Sequence, residues 1–172
     1  VFRKKQIDLI TQTELGDFTE LRGNAIRGQN KVTDFFYTYW LSKCEGGHKP
    51  SRADIRPMEI SRFIDHAVIM DIDGGAESFA LKVRLIGTHV TTFYGEITGH
   101  DIHDLKNQNA AERIYHICAK VIASGEPYLT VTPAFSPDRQ YMEAYALYMP
   151  LYDAEGRTDK ILVGVDVRSL FR

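Results

Sequence analysis

The stretch Arg84-Leu85-Ile86-Gly87-Thr88, followed closely by Phe93-Tyr94-Gly95-Glu96-Ile97-Thr98-Gly99, decides how this chain folds. Upstream of Gly87, Phe79, Leu81, Val83 and Leu85 alternate with Lys82 and Arg84, the period-two pattern of a strand with one buried and one wet face. On this register Lys82 and Arg84 point outward, unless the strand is bent near Gly87. Gly87, Gly95 and Gly99 supply backbone freedom at three changes of direction, where a side chain would also obstruct close packing. A strand that turns sharply into short helices leaves room for a pocket between sheet and helices.

Working outward, 172 residues at 44% hydrophobic suffice for one ordinary core. A formal charge of −2 and interleaved acidic and basic residues give no electrostatic footprint for nucleic acid, so no nucleic-acid partner is expected. No apolar run approaches the roughly 20 residues of a membrane span, and no membrane association is expected. Cys44 and Cys118 form neither a CxxC pair nor a disulfide framework, which points to a reducing, cytoplasmic location. The start Val1-Phe2-Arg3-Lys4-Lys5 lacks a methionine and a signal-like apolar region, so a trimmed beginning is expected.

Residues 1–32 read as an N-terminal arm, with Ile7, Ile10, Leu15, Phe18 and Leu21 at spacings that favour helix, and 33–172 as the main domain. The run Asp34-Phe35-Phe36-Tyr37-Thr38-Tyr39-Trp40-Leu41 predicts a helix against the core, stopped near Gly46-Gly47. Pro57 opens a short helix through Phe63, and a strand follows over 66–73. A longer helix over 110–124 places Ala110, Ile114, Ile117, Val121 and Ile122 on one face and Glu112, His116 and Lys120 on the other, with Gly125 ending it. Segments 128–135, 140–152 and 160–167 read as consecutive antiparallel strands, with turns at Ser136-Pro137-Asp138 and Asp153-Ala154-Glu155-Gly156. The last strand has one fully apolar face in Ile161, Val163, Val165 and Val167. The fold expected is α+β, a five-stranded antiparallel sheet with helices gathered on one face and a helical arm.

That element order resembles the PAS domain family, and the motifs are similar to those of a subfamily of small, single-domain bacterial PAS proteins. The features that carry the resemblance are Tyr39-Trp40 in the aromatic helix, Pro50-Ser51-Arg52-Ala53-Asp54-Ile55 with Pro57 three residues after Asp54, Arg84-Leu85-Ile86-Gly87-Thr88, and Tyr94-Gly95-Glu96-Ile97-Thr98-Gly99. Together with the terminal strands they span 33–167. The resemblance implies a sensory or protein-interaction module of a signalling system whose sheet and helices enclose a small-molecule pocket. It names no ligand and leaves the cofactor unknown. A photoactive flavin relative would carry a cysteine in an Asn-Cys-Arg-type motif, and neither Ser42-Lys43-Cys44-Glu45 nor His116-Ile117-Cys118-Ala119 matches. A haem-binding relative would place a histidine ligand on the long helix; His116 is the candidate, but it lies well around the helix from the Ile114, Ile117 and Val121 face.

The candidate ligand-binding residues are His89, Tyr94, Ile114, Ile117 and Tyr145. His89 and Tyr94 flank the short helix after Gly87, and His100 and His103 flank the turn after Gly99; all four also fit ordinary surface or helix-end positions. His100, Asp101, His103 and Asp104 lack a recognised metal-ligand spacing, so no metal site is assigned. In the tyrosine-rich strand, Tyr141, Glu143, Tyr145, Leu147 and Met149 alternate with Met142, Ala144, Ala146 and Tyr148, and either set fits the inner face. Glu143 fits a polar ligand contact or a surface carboxylate. No nucleophile elbow, phosphate loop, zinc-helix motif or paired-carboxylate signature is present, so no catalytic residue is assigned and the chain is read as not an enzyme, with a small enzyme holding a buried acid or base as a minor alternative. A pure dimerisation or assembly domain is the closer alternative. The chain as given ends just past its last strand, and the expected output is through association, as a homodimer or with a signalling-protein partner. Phe36 and Trp40, four apart on one helical face, are the candidates for a dimer or helix-to-sheet contact.

Overall fold

The computed structural model describes residues 17–75, 77–133 and 141–170. Six strands form one antiparallel sheet: β1 (Thr19–Arg22), β2 (Ala67–Gly75), β3 (Ser78–Ile86), β4 (Tyr128–Thr132), β5 (Met142–Tyr152) and β6 (Thr158–Ser169). Their spatial order is β1-β4-β5-β6-β2-β3, so the early β2–β3 hairpin lies beside the last strand of the late meander. Among the described residues, three α-helices, α1 (Lys31–Ser42), α2 (Thr88–Tyr94) and α3 (Gln108–Ser124), and several 3₁₀ turns, including Pro57–His66, accompany the sheet. The α+β antiparallel class expected from sequence is the one observed.

The helices lie on both faces of the sheet, not on one. Adjacent strand residues divide between two cores: Val68 and Met70 pack towards α2 and α3, whereas Ala67 and Ile69 pack towards α1. Where the sheet is covered on both sides its strands have no wet face, which is why β2 opens with four consecutive buried residues and β5 is continuously buried from Ala146 to Tyr152, whereas the edge strand β3 keeps Lys82 and Arg84 exposed. The sequence had assigned one buried face to each strand and therefore one layer of helices.

The second difference is β1. The arm was expected to be helical, but Thr19–Arg22 pairs with β4, and a 3₁₀ turn over Gly23–Ile26 follows. Phe18 and Leu21, three apart, would share a helical face; in a strand they point to opposite faces, and they join opposite cores here. Both faces being apolar, the same two residues satisfy the strand and leave the β4 edge hydrogen-bonded. Ile7, Ile10 and Leu15, and the turn expected at 136–138, lie outside the described residues.

Local signals explain the helix ends. The Asn30 side chain accepts hydrogen bonds from the Val32 and Thr33 amides at 2.9 and 3.0 Å and caps α1. Asn107 caps α3 through the Ala110 amide, and Gly125 ends it in the left-handed region. On α1, Phe36 is fully buried and Trp40 donates its indole N–H to the Pro150 carbonyl at 2.8 Å. Both side chains are used in the helix-to-sheet contact within the chain, which removes them from the dimer surface for which they were also candidates.

Candidate functional site

The stretch from Arg84 to Gly87 builds the site through a β-bulge. Ile69 opposes Leu85 and Met70 opposes Val83, so Arg84 is the extra residue of β3. Arg84 stays outside, as expected, and its guanidinium bonds the Asp71 carboxylate. The bulge reverses the alternation beyond it: Leu85, expected on the same face as Leu81 and Val83, packs instead with the α1 core, and Ile86 turns in towards α2 and α3. Gly87 then sits against the backbone of Asp65, where an added Cβ would lie 2.2 Å from the carbonyl oxygen.

Ile86 joins a cavity of about 40 Å³ between the sheet and α2 and α3. Its walls are Val68 and Met70 from β2, Val83 and Ile86 from β3, Val90 and Tyr94 from α2, Ile114 from α3, Ala146 and Tyr148 from β5, and Val163 and Val165 from β6, with Ile97, Ile102 and Leu105 closing one end. The lining is aliphatic apart from two tyrosines. Burial pushes the Tyr94 phenol up to about 12 and raises that of Tyr148 as well, so both are neutral at physiological pH. With no ionised group among its lining residues, the cavity suits a neutral, largely apolar molecule.

The candidate residues divide on this geometry. Tyr94 and Ile114 line the cavity. Ile117 is fully buried in the same core but is not part of the wall. Tyr145 is on the other face of the sheet, its hydroxyl donating to Glu143 at 2.9 Å; the inner set of β5 is Met142, Ala144, Ala146 and Tyr148. The inner residues of β6 were legible as its apolar face, those of β5 were visible as alternation but could not be oriented from sequence, and the bulge that turns Ile86 inward leaves no composition signal. His116 points away from the cavity and pairs with Glu20 of β1 at 2.9 Å, beside Lys120. The His116 bond holds the Glu20 carboxyl below its usual range. His103 pairs with Asp101 and stacks on Tyr115, whose hydroxyl donates to the same carboxylate, and His100 faces Asp104.

His89 is not among the cavity's wall residues; its side chain reaches from α2 to β6. Its ring stacks on His66 with centroids 4.0 Å apart, and both face Asp166. Donor atoms of the three lie within 4.8 Å of one another. The ring nitrogens nearest Asp166 are already bonded to β6, His66 Nδ1 to the Val165 carbonyl and His89 Nε2 to the Val167 amide. The trio thus forms a hydrogen-bonded clamp that ties α2 and the Pro57–His66 turn to β6.

Comparison with known proteins gives two kinds of result. A protein-family model for a PAS domain matches residues 29–165. A search of curated proteins finds no match. Among solved structures, the chain is similar to an RNA-binding light-oxygen-voltage receptor, with 9% identity and a TM-score of 0.49 over 87% of this chain and 38% of that one. It is also similar to the Vibrio cholerae VqmA dimer in the absence of target DNA, with 14% identity and a TM-score of 0.43 over 67% of this chain and 52% of that one. The chain thus spans well under two thirds of the length of either.

Proposed function

Because the chain belongs to the PAS domain family, we propose that it is a signalling module that binds a small, neutral, largely apolar molecule between the sheet and α2 and α3. The observation that carries this reading is the aliphatic cavity with Tyr94 and Tyr148 in its wall. A phenol kept neutral by burial can orient one polar atom of such a ligand, whereas an anion or cation would enter without a counter-charge. The space is about 40 Å³, and one water needs roughly 10–15 Å³. A ligand of more than a few heavy atoms therefore requires a wall to move. The module proper is 33–172, with 1–32 as an arm; it is sensory rather than catalytic, and it works in the cytoplasm as a homodimer or with a signalling-protein partner. The charge balance leaves nucleic acid out of the reading.

Native mass spectrometry of freshly purified protein, followed by thermal-shift measurements with short-chain alcohols, ketones and small aromatic hydrocarbons, tests the ligand. Binding is expected for the wild type and is expected to be lost in Ala146→Leu, which fills the cavity from β5. Failure of every neutral probe to bind, together with unchanged or higher stability of Ala146→Leu, would overturn ligand sensing in favour of a pure assembly domain.

A further inference from the structure

β6 runs on past the end of its neighbour. Ala67, the first residue of β2, pairs with Gly164, and beyond that point two imidazoles take the place of strand β2. His66 Nδ1 lies 2.7 Å from the Val165 carbonyl oxygen, and the Val167 amide donates to His89 Nε2 at 3.1 Å. The backbone fixes the protons. A carbonyl only accepts, so His66 carries hydrogen on Nδ1; an amide N–H only donates, so His89 Nε2 is bare. The His66 bond survives whether its ring is neutral or charged. The His89 bond exists only while that ring is neutral.

We propose that His89 is a proton-operated latch: neutral, it holds α2 to β6 through the Val167 amide, and protonated, it turns to the Asp166 carboxylate and releases α2 with the cavity wall it carries. The new partner is in place, since Asp166 Oδ1 lies 3.5 Å from His89 Nε2 while Oδ2 is held by the Asn30 side-chain amide at 2.9 Å. The wall at stake is Val90 and Tyr94, one and five residues after His89 on α2.

The groups acting on His89 come from both elements against which α2 packs. His66 and Asp65 belong to the Pro57–His66 turn, and Asp166 belongs to β6; the Phe93 ring, 5.3 Å away on α2 itself, is uncharged. Burial is the largest influence and disfavours the charged ring, His66 acts in the same direction, and Asp166 and Asp65 oppose them; the balance holds His89 below its ordinary 6.5. The latch is therefore closed at neutral pH and is released as pH falls below 6.5 through the folded-state value.

The test is an amide and imidazole NMR titration of the whole chain from about pH 7.5 to about pH 5. His89 Nε2 should resonate as an unprotonated acceptor at the upper end and titrate with a midpoint below 6.5. The Val167 amide should lose protection by about tenfold or more beyond intrinsic exchange, with the Val90 and Tyr94 amides shifting at the same midpoint. In His89→Gln, whose carboxamide oxygen accepts from Val167 but takes no proton, that midpoint should vanish; in His66→Gln it should rise. A Val167 amide equally protected at both ends in the wild type would overturn the proposal, as would a midpoint that persists in His89→Gln. The wild-type titration needs no ligand and no variant, so its failure is distinct from failure of the cavity to bind.

Discussion

Gly87 and Gly99 are constrained in different ways. Gly87 has ordinary dihedrals but lies against the Asp65 backbone, whereas Gly99 has open space around it and a φ of +83°. Gly87→Val should cost about 3 kcal/mol, because backbone and not a flexible side chain must yield. Gly99→Val should cost only about 1–2 kcal/mol, the penalty of a left-handed L-residue. Urea midpoints of the two variants check the order, and equal or absent losses would show it to be wrong. Gly164 carries a similar constraint without a turn to mark it: an added Cβ would meet the Phe36 ring at 2.4 Å. Asp54 is the clearest acid-sensitive residue, its carboxyl held at about 2, first by the Ser51 amide and then by His48. Since the folded value lies below the ordinary 3.8, the ionised group favours the native state fully above 3.8, and the benefit is lost as pH falls through about 2. The stability difference between wild type and Asp54→Asn should be constant near neutral pH and shrink on acidification.

At the scale of elements, α1 depends on its cap and on its buried face. Asn30→Ala removes two cap bonds and the partner of Asp166, and should lower stability by about 1–2 kcal/mol in chemical denaturation. Replacing Phe36 and Trp40 together by polar residues should unfold the domain, read as loss of near-ultraviolet dichroism, because both are within the chain's own core. A folded double variant with weakened self-association would instead restore their reading as dimer contacts. The helix itself was legible in residues 34–41, as was α3 in its apolar face and Gly125 stop. What their sequences could not state was which side of the sheet each would cover, because an amphipathic face specifies burial but not the surface that supplies it.

At the scale of the whole molecule, the small cavity lies inside the core between the sheet and α2 and α3, and its volume is a sensitive variable. Ile114→Ala should enlarge it, cost about 2 kcal/mol, and strengthen the thermal shift produced by benzene-sized molecules. Stabilisation no greater than in the wild type would separate the cavity from the ligand site. Sedimentation at micromolar concentration checks the proposed homodimer, and a single monomeric species would remove it.

The sequence by itself determined the strands β2 to β6 and the helices, the hairpin followed by the meander, the sharp turn at Gly87 and the PAS resemblance. These are local or ordered along the chain, written in periodicity, glycines and caps. Only the tertiary structure decided that the sheet is covered twice, that Leu21 lies in a strand entered at Phe18 and not in a helix, and that Tyr148 rather than Tyr145 faces the cavity. Each of those choices turns on which of two apolar faces meets which partner, and a one-residue bulge at Arg84 is enough to exchange them for Leu85 and Ile86. The latch at His89 belongs to the same class: His66, His89 and Asp166 are far apart in sequence, and their protonation roles follow from two β6 backbone groups that only the folded chain brings to them.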